Sequence, residues 1–333
     1  MSPINMLTHR QRIEACLSGA KLDRVPVALW RHFPVDDQSP DGLAAAILDF
    51  QITFDFDLVK VTPSSSYCLR DWGVQDEWHG SSEGTRDYTV HVIDQPDDWT
   101  RLAELDPHTG FLAESLTCLR LLVAELHPDT PVIQTIFSPL AQAKNLLGKD
   151  ELLVHMRRYP DALHRGLKTI AATTRAYLAA AQKTGIDGIF YAVQHAQYNL
   201  MSEAEYLEFG KPYDLQVLEG TAGLWLNMLH LHGEDVMFNL AADYPVQVLN
   251  WHDQETPPSL AEGLSLFPGA VCGGLSREEG LVLSSSVRIL GEAKDAILET
   301  GGKRFILGTG CVVPITAPAG NLHEARRSVD LKG

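Results

Sequence analysis

Two histidines one residue apart, His230 and His232 in "WLNMLHLHGED", close an apolar run that reads as a buried strand. Residues i and i+2 of a strand project to the same side, so both rings converge, with Leu226 and Met228 deeper on that face. A convergent imidazole pair is half of a transition-metal site. Cys311 lies just past a second apolar run, "RFILGTG", and adds a thiolate if that strand ends at the same rim. Two imidazoles and one thiolate with an open fourth position make a catalytic zinc set. Glu234 or Asp253 would complete it or orient a histidine from behind. The plainer alternative is a pair of core histidines bonded to carbonyls and a cysteine acting as a small hydrophobe.

Chemistry at that spacing needs a scaffold that gathers distant strand ends. Eight short β-rich runs recur: "VPVALW" from Val25, "FDLVKV" from Phe56, "PVIQTIF" from Pro131 and "DGIFYAV" from Asp187. They continue with "WLNMLHLH" from Trp225, "PVQVLNW" from Pro245, "GAVCGGL" from Gly269 and "RFILGTG" from Arg304. Mostly apolar strands alternating with amphipathic helices indicate parallel strands covered on both faces. Eight such units predict an α/β fold of the (β/α)8 TIM-barrel type, with a doubly wound open sheet as the competitor. The stretch from Tyr67 to Thr100 alternates polar and apolar residues around glycines, which predicts a β-hairpin excursion after the second strand. No linker or low-complexity tract interrupts the chain, so a single domain over 1–333 is expected.

Barrel active sites form at the carboxyl ends of the strands, which selects further candidates. Arg31 and His32 follow the first strand, as an anion contact and a proton donor. Gln194 and Tyr198 follow the fourth as further catalytic candidates, and His195 beside them as a cofactor contact. Asn250, Trp251, His252 and Asp253 follow the sixth; Asn250, Trp251 and Asp253 are the cofactor-binding candidates. Tyr67, Arg70 and Trp72 open the excursion as candidate lid residues, and Lys60 reads as a surface lysine whose stem snorkels.

Two helices are also legible. "SEAEYLEFGKPYDLQVLEG" opens with Ser202 and Glu205 in a capping-box pattern. A second helix sets Val287, Leu290, Ala293 and Ile297 on one face and stops at Gly301–Gly302.

A formal charge of −16 and a pI near 5.2 argue against a nucleic-acid partner. Five scattered cysteines and a start, "MSPINMLTHRQR", without an apolar segment predict free thiols and a reducing, cytoplasmic setting. No apolar run approaches the ~20 residues that span a bilayer.

The stretches "LHLHGED" and "ILGTGCVVPITAPAGNLHEARRSV" resemble the uroporphyrinogen decarboxylase superfamily. The similarity is greater to its zinc-dependent methylcobalamin:coenzyme M methyltransferase branch. "DRVPV", "FSPLAQAKNLLG" and "SEAEYLEFGKPYDLQVLEG" extend it along most of the chain. The resemblance implies a barrel and zinc ligands at His230, His232 and Cys311. It also implies a small-molecule thiol substrate and a corrinoid (cobalamin) presented by a partner protein. One position departs: His232 stands where that branch has a cysteine. The turn Gly273–Ser276 is similar to one whose backbone N–H groups cradle an anion. The decarboxylase branch matches less, because only Arg31 in "WRHFPVDD" meets its arginine signature and Thr309 replaces its late histidine. Two other readings remain: a metal-free decarboxylase of a porphyrinogen-like or other carboxylated ring, anchored by Arg31, and a catalytically silent barrel that binds a tetrapyrrole or corrinoid.

Overall fold

The computed structural model describes residues 6–148 and 151–330; residues 1–5, 149–150 and 331–333 of the expected 1–333 span lie outside it. Its strands are β1 (Val59–Val61), β2 (Gln75–Glu77), β3 (Asp87–Val90), β4 (Val132–Phe137), β5 (Gly188–Val193), β6 (Met228–Leu231), β7 (Val248–Trp251), β8 (Ala270–Leu275) and β9 (Phe305–Thr309). Seven of them form one parallel sheet in the order β1, β4, β5, β6, β7, β8, β9. Every residue of β4, β5 and β8 is buried, as strands sandwiched between a barrel interior and a helical shell must be.

The first expected strand is sparser than the pattern "VPVALW" suggests. Val27 makes one parallel bridge to Leu307 of β9, and the Asp57 N–H before β1 donates to the Val27 carbonyl at 2.8 Å. This extended segment therefore stands between β1 and β9 and closes the curled sheet into a ring. It cannot form a full ladder, because Pro26 has no N–H and the Val27 N–H goes to the Asp57 carboxylate at 2.7 Å. The same carboxylate takes the guanidinium groups of Arg12 and Arg24 at 2.6 Å each.

The hairpin excursion is present, with β2 and β3 paired antiparallel. Two helices differ from their expected form. The Ser202 capping box is there, but the helix runs only Glu203–Phe209 and a second, Lys211–Leu218, follows. Pro212 has no N–H to continue the first ladder. In the helix Ser286–Thr300 the buried face is Ile289, Ala293, Ala296 and Thr300, whereas Val287 is exposed. The small Ala296 lets this helix press on the backbone of β8 at Gly274. Among the described residues no helix is long and apolar enough to cross a membrane.

Candidate metal centre

Register explains how the site assembles. In the parallel sheet His230 on β6 pairs with Asn250 on β7, so their side chains share a row. His232 and His252 lie two residues further along each strand, and both therefore return to the same side. Cys311 stands two residues beyond β9. The approach needs Gly310: a Cβ there would lie 2.6 Å from the His252 Cα and 2.7 Å from the Trp251 carbonyl. With no side chain at 310, the exit of β9 crosses toward the exit of β7 and delivers the thiol to the histidines.

One nitrogen from each of His230, His232 and His252 and the Cys311 Sγ all lie within 4.8 Å of one another. The His232 Nδ1 is 3.4 Å from the His230 Nε2, 3.4 Å from the His252 Nε2 and 3.7 Å from the Cys311 sulfur. A tetrahedral zinc with bonds of roughly 2.0–2.3 Å sets its ligand atoms about 3.3–3.7 Å apart. The spacings match those edges and are long for hydrogen bonds between rings. The donor set, three imidazoles and a thiolate, fits the ion as well.

The supporting hydrogen bonds point the lone pairs inward. Asn250 Nδ2 donates to the carbonyls of Cys272 and Thr309, both at 2.9 Å, which leaves its Oδ1 to face the His230 Nδ1 at 2.7 Å. That nitrogen must carry the proton, and Nε2 is left as the acceptor. Glu255 Oε2 holds the His252 Nδ1 at 2.7 Å in the same way. Carboxylate or amide partners behind ligating histidines fix their tautomer and orientation. Replacing Asn250 by Leu is expected to weaken zinc binding by roughly 10–100-fold while the chain stays folded, as read by competition with a chromogenic chelator and by circular dichroism; unchanged affinity would remove Asn250 from this role.

Burial alone would raise the Cys311 thiol, but the neighbouring imidazoles of His230, His232 and His252 outweigh it and hold the group well below its ordinary range. The thiolate is the form that ligates metals. Burial lowers His230 to about 4. For His252 burial also acts downward, yet Cys311 and Glu255 bring it up to about 9.

A cavity of about 440 Å³ opens above this cluster, and His230, His232 and Cys311 form part of its wall. Its remaining lining includes Trp30, His32, Lys60, Lys144, Phe190 and Gln194. The hairpin contributes Thr85, Arg86, Asp87 and Tyr88. Phe190 stacks on the His230 ring at 5.0 Å.

The cavity sorts the expected site residues. His32 and Gln194 line it, and Gln194 accepts from Lys144 at 3.1 Å. Arg31 does not. In an extended segment its neighbours Trp30 and His32 face inward, and the Arg31 guanidinium turns out over Phe33 and Phe50, 5.1 and 5.2 Å from their ring centres. Tyr198 is 47% exposed and donates to Glu203, away from the cavity. His195 is buried with its Nδ1 unpartnered, outside the cavity wall and the ligand set. Asn250 backs His230, one of the four clustered donors, from behind. Trp251 is a packing residue, donating to the Pro258 carbonyl and meeting Phe238 edge-on. Asp253 accepts the Gly274 N–H at 2.9 Å, so the anion cradled by the Gly273–Ser276 turn is the chain's own carboxylate. Glu234 is exposed. The fourth potential donor in the cluster is thus His252, in place of either acid.

The lid candidates also settle elsewhere. Tyr67 donates to the Thr135 carbonyl, Arg70 lies over Phe111, and Trp72 donates to Ala103. Lys60, expected at the surface, is buried in the cavity wall, and burial pushes its ammonium down to about 7.

A closed parallel barrel with convergent polar groups and a cavity at its strand ends is the architecture of a barrel enzyme. The chain belongs to the uroporphyrinogen decarboxylase (URO-D) family, whose model matches residues 8–330. Among solved structures, a methyltransferase from Methanosarcina mazei is similar with a TM-score of 0.86, at 18% identity over 97% of this chain and 98% of that one. A B12-independent methionine synthase from Shewanella sp. W3-18-1, in complex with selenomethionine, follows at a TM-score of 0.59 and 12% identity, covering 91% of this chain and 92% of that one. At these identities the likeness is one of fold. No curated protein matches the chain significantly.

Proposed function

We propose that the chain is a zinc-dependent methyltransferase that moves a methyl group between a corrinoid, presented by a carrier protein, and a small thiol. The observation that carries this reading is the convergence of His230, His232, His252 and Cys311, three of which, His230, His232 and Cys311, line a substrate-sized cavity. Zinc held by these side chains would supply a Lewis acid that keeps a thiol deprotonated at neutral pH once the substrate sulfur takes the place of one of the four donors. Asn250 and Glu255 hold two of the imidazoles in the tautomer that faces the ion. Trp30 and Phe190 give the cavity an apolar flank beside His230, which limits water around the reacting sulfur. The mouth between the strand ends and the hairpin is where a corrinoid carrier would dock.

The metal-free carboxy-lyase reading is weaker, since its anchor, Arg31, points out of the barrel. A silent carrier would have no use for oriented imidazoles beside a thiolate.

The direct assay mixes zinc-loaded protein with methylcobalamin and a panel of thiols and follows the corrinoid spectrum. Demethylation of methylcobalamin is expected for the wild type and not for Cys311→Ser. An unchanged spectrum with every thiol, in protein carrying one zinc per chain, would set this reading aside.

A further inference from the structure

Lys60 sits on β1 with its ammonium 4.5 Å from the centre of the Phe190 ring and 5.9 Å from that of Trp30. It is 6% exposed and makes no salt bridge among the described residues. Burying an ammonium without a partner costs several kcal/mol, and two aromatic faces return only part of that. The fold supplies carboxylates for other buried cations: Arg12 meets Asp23 and Asp57, and Arg86 meets Asp37. Lys60 has no such carboxylate among the described residues, and it lines the cavity. Beside it the Trp30 indole N–H, which can only donate, is buried with no acceptor.

We propose that Lys60 is a specificity-determining residue that receives an anionic head group on the small-molecule substrate. The inference rests on the proposed function for the identity of the other end of that molecule. One face of the Phe190 region carries the Lys60 ammonium, and the same ring stacks on His230 at 5.0 Å. Anchor and candidate metal centre are therefore one aromatic ring apart. A molecule bearing a thiol at one end and a carboxylate or sulfonate at the other would present one group to each. No carboxylate contacts Lys60 among the described residues, so its ammonium is left to pair with an anion that enters the cavity.

Isothermal titration with propionate, methanesulfonate and neutral propionamide tests the anchor without calling on the metal or on turnover. Wild type is expected to bind at least one of the two anions roughly 10–100-fold more tightly than the amide, the range of a charge-assisted hydrogen bond. Lys60→Met should abolish that preference; if Lys60→Met does not fold, Lys60→Gln serves in its place. Cys311→Ser should keep the preference even when it binds no zinc and transfers no methyl group, so failure of the anchor and failure of the methyltransferase reading are separable. Whichever anion binds through Lys60 names the head group. Equal anion binding by wild type and Lys60→Met would overturn the proposal. So would a stable mass adduct on Lys60 after treatment with pyruvate and borohydride, which would make the amine a nucleophile.

Discussion

Cys311→Ser is expected to lose zinc. The variant keeps the size of the side chain but exchanges a thiolate, already favoured by three surrounding imidazoles, for a hydroxyl that stays protonated. Loss of a single orienting partner costs roughly 10–100-fold in metal affinity, so loss of the only sulfur donor should exceed about 100-fold. The fold should survive, because the thiol sits at a strand exit among polar groups. The expected result is less than stoichiometric zinc after dialysis, a cooperative melt close to that of the wild type, and no methyl transfer. His252→Ala separates this account from one that needs only His230, His232 and Cys311. If His252 is a ligand, as the 3.4 Å approach of its Nε2 to the His232 Nδ1 indicates, its loss also weakens zinc. Full zinc retention in Cys311→Ser would mean that the sulfur is a bystander.

The second large effect is on stability. Asp57→Ala should destabilise the chain by about 3–5 kcal/mol, the usual cost of removing one partner from a buried ion pair. The carboxylate is fully buried and accepts from Arg12, Arg24 and the Val27 N–H at once. Its removal leaves the Arg24 guanidinium short of its main partner and the Val27 amide without an acceptor. Val27 belongs to the segment that closes the ring, and three residues later Trp30 reaches the cavity. The damage should therefore register twice, as a lower urea midpoint and as a weaker response to cavity ligands. A shift worth less than about 1 kcal/mol, the scale of a surface ion pair, would show that barrel closure does not depend on this carboxylate.

Much of the architecture is legible in residue pattern alone, because buried parallel strands must be almost continuously apolar and most are followed by an α-helix. The pair His230 and His232 and the strand-end position of Cys311 follow from the period of two and the rim rule. His252 is harder to see. Its strand bears Asn250 and His252 at the same two-residue step as His230 and His232, but only the register between β6 and β7 shows that the two steps lie side by side. Pairing register is a tertiary property, and the intervening Trp251 disguises the step as a polar-aromatic cluster. Lys60 misleads for a related reason: a lysine in an apolar strand looks like a surface residue unless the interior it faces is known to hold a cavity. Arg31 fails on phase, since one residue of alternation separates the cavity-facing Trp30 and His32 from the outward Arg31. The break between Phe209 and Lys211 is signalled by Pro212, which the capping box at the start of the stretch does not reveal.

The most direct measurement is the zinc K-edge X-ray absorption spectrum of the metal-loaded wild type. The account predicts one zinc per chain with about three nitrogen neighbours near 2.0–2.1 Å and one sulfur near 2.3 Å. A shell of oxygen and nitrogen alone, or protein that takes up no zinc, would contradict it.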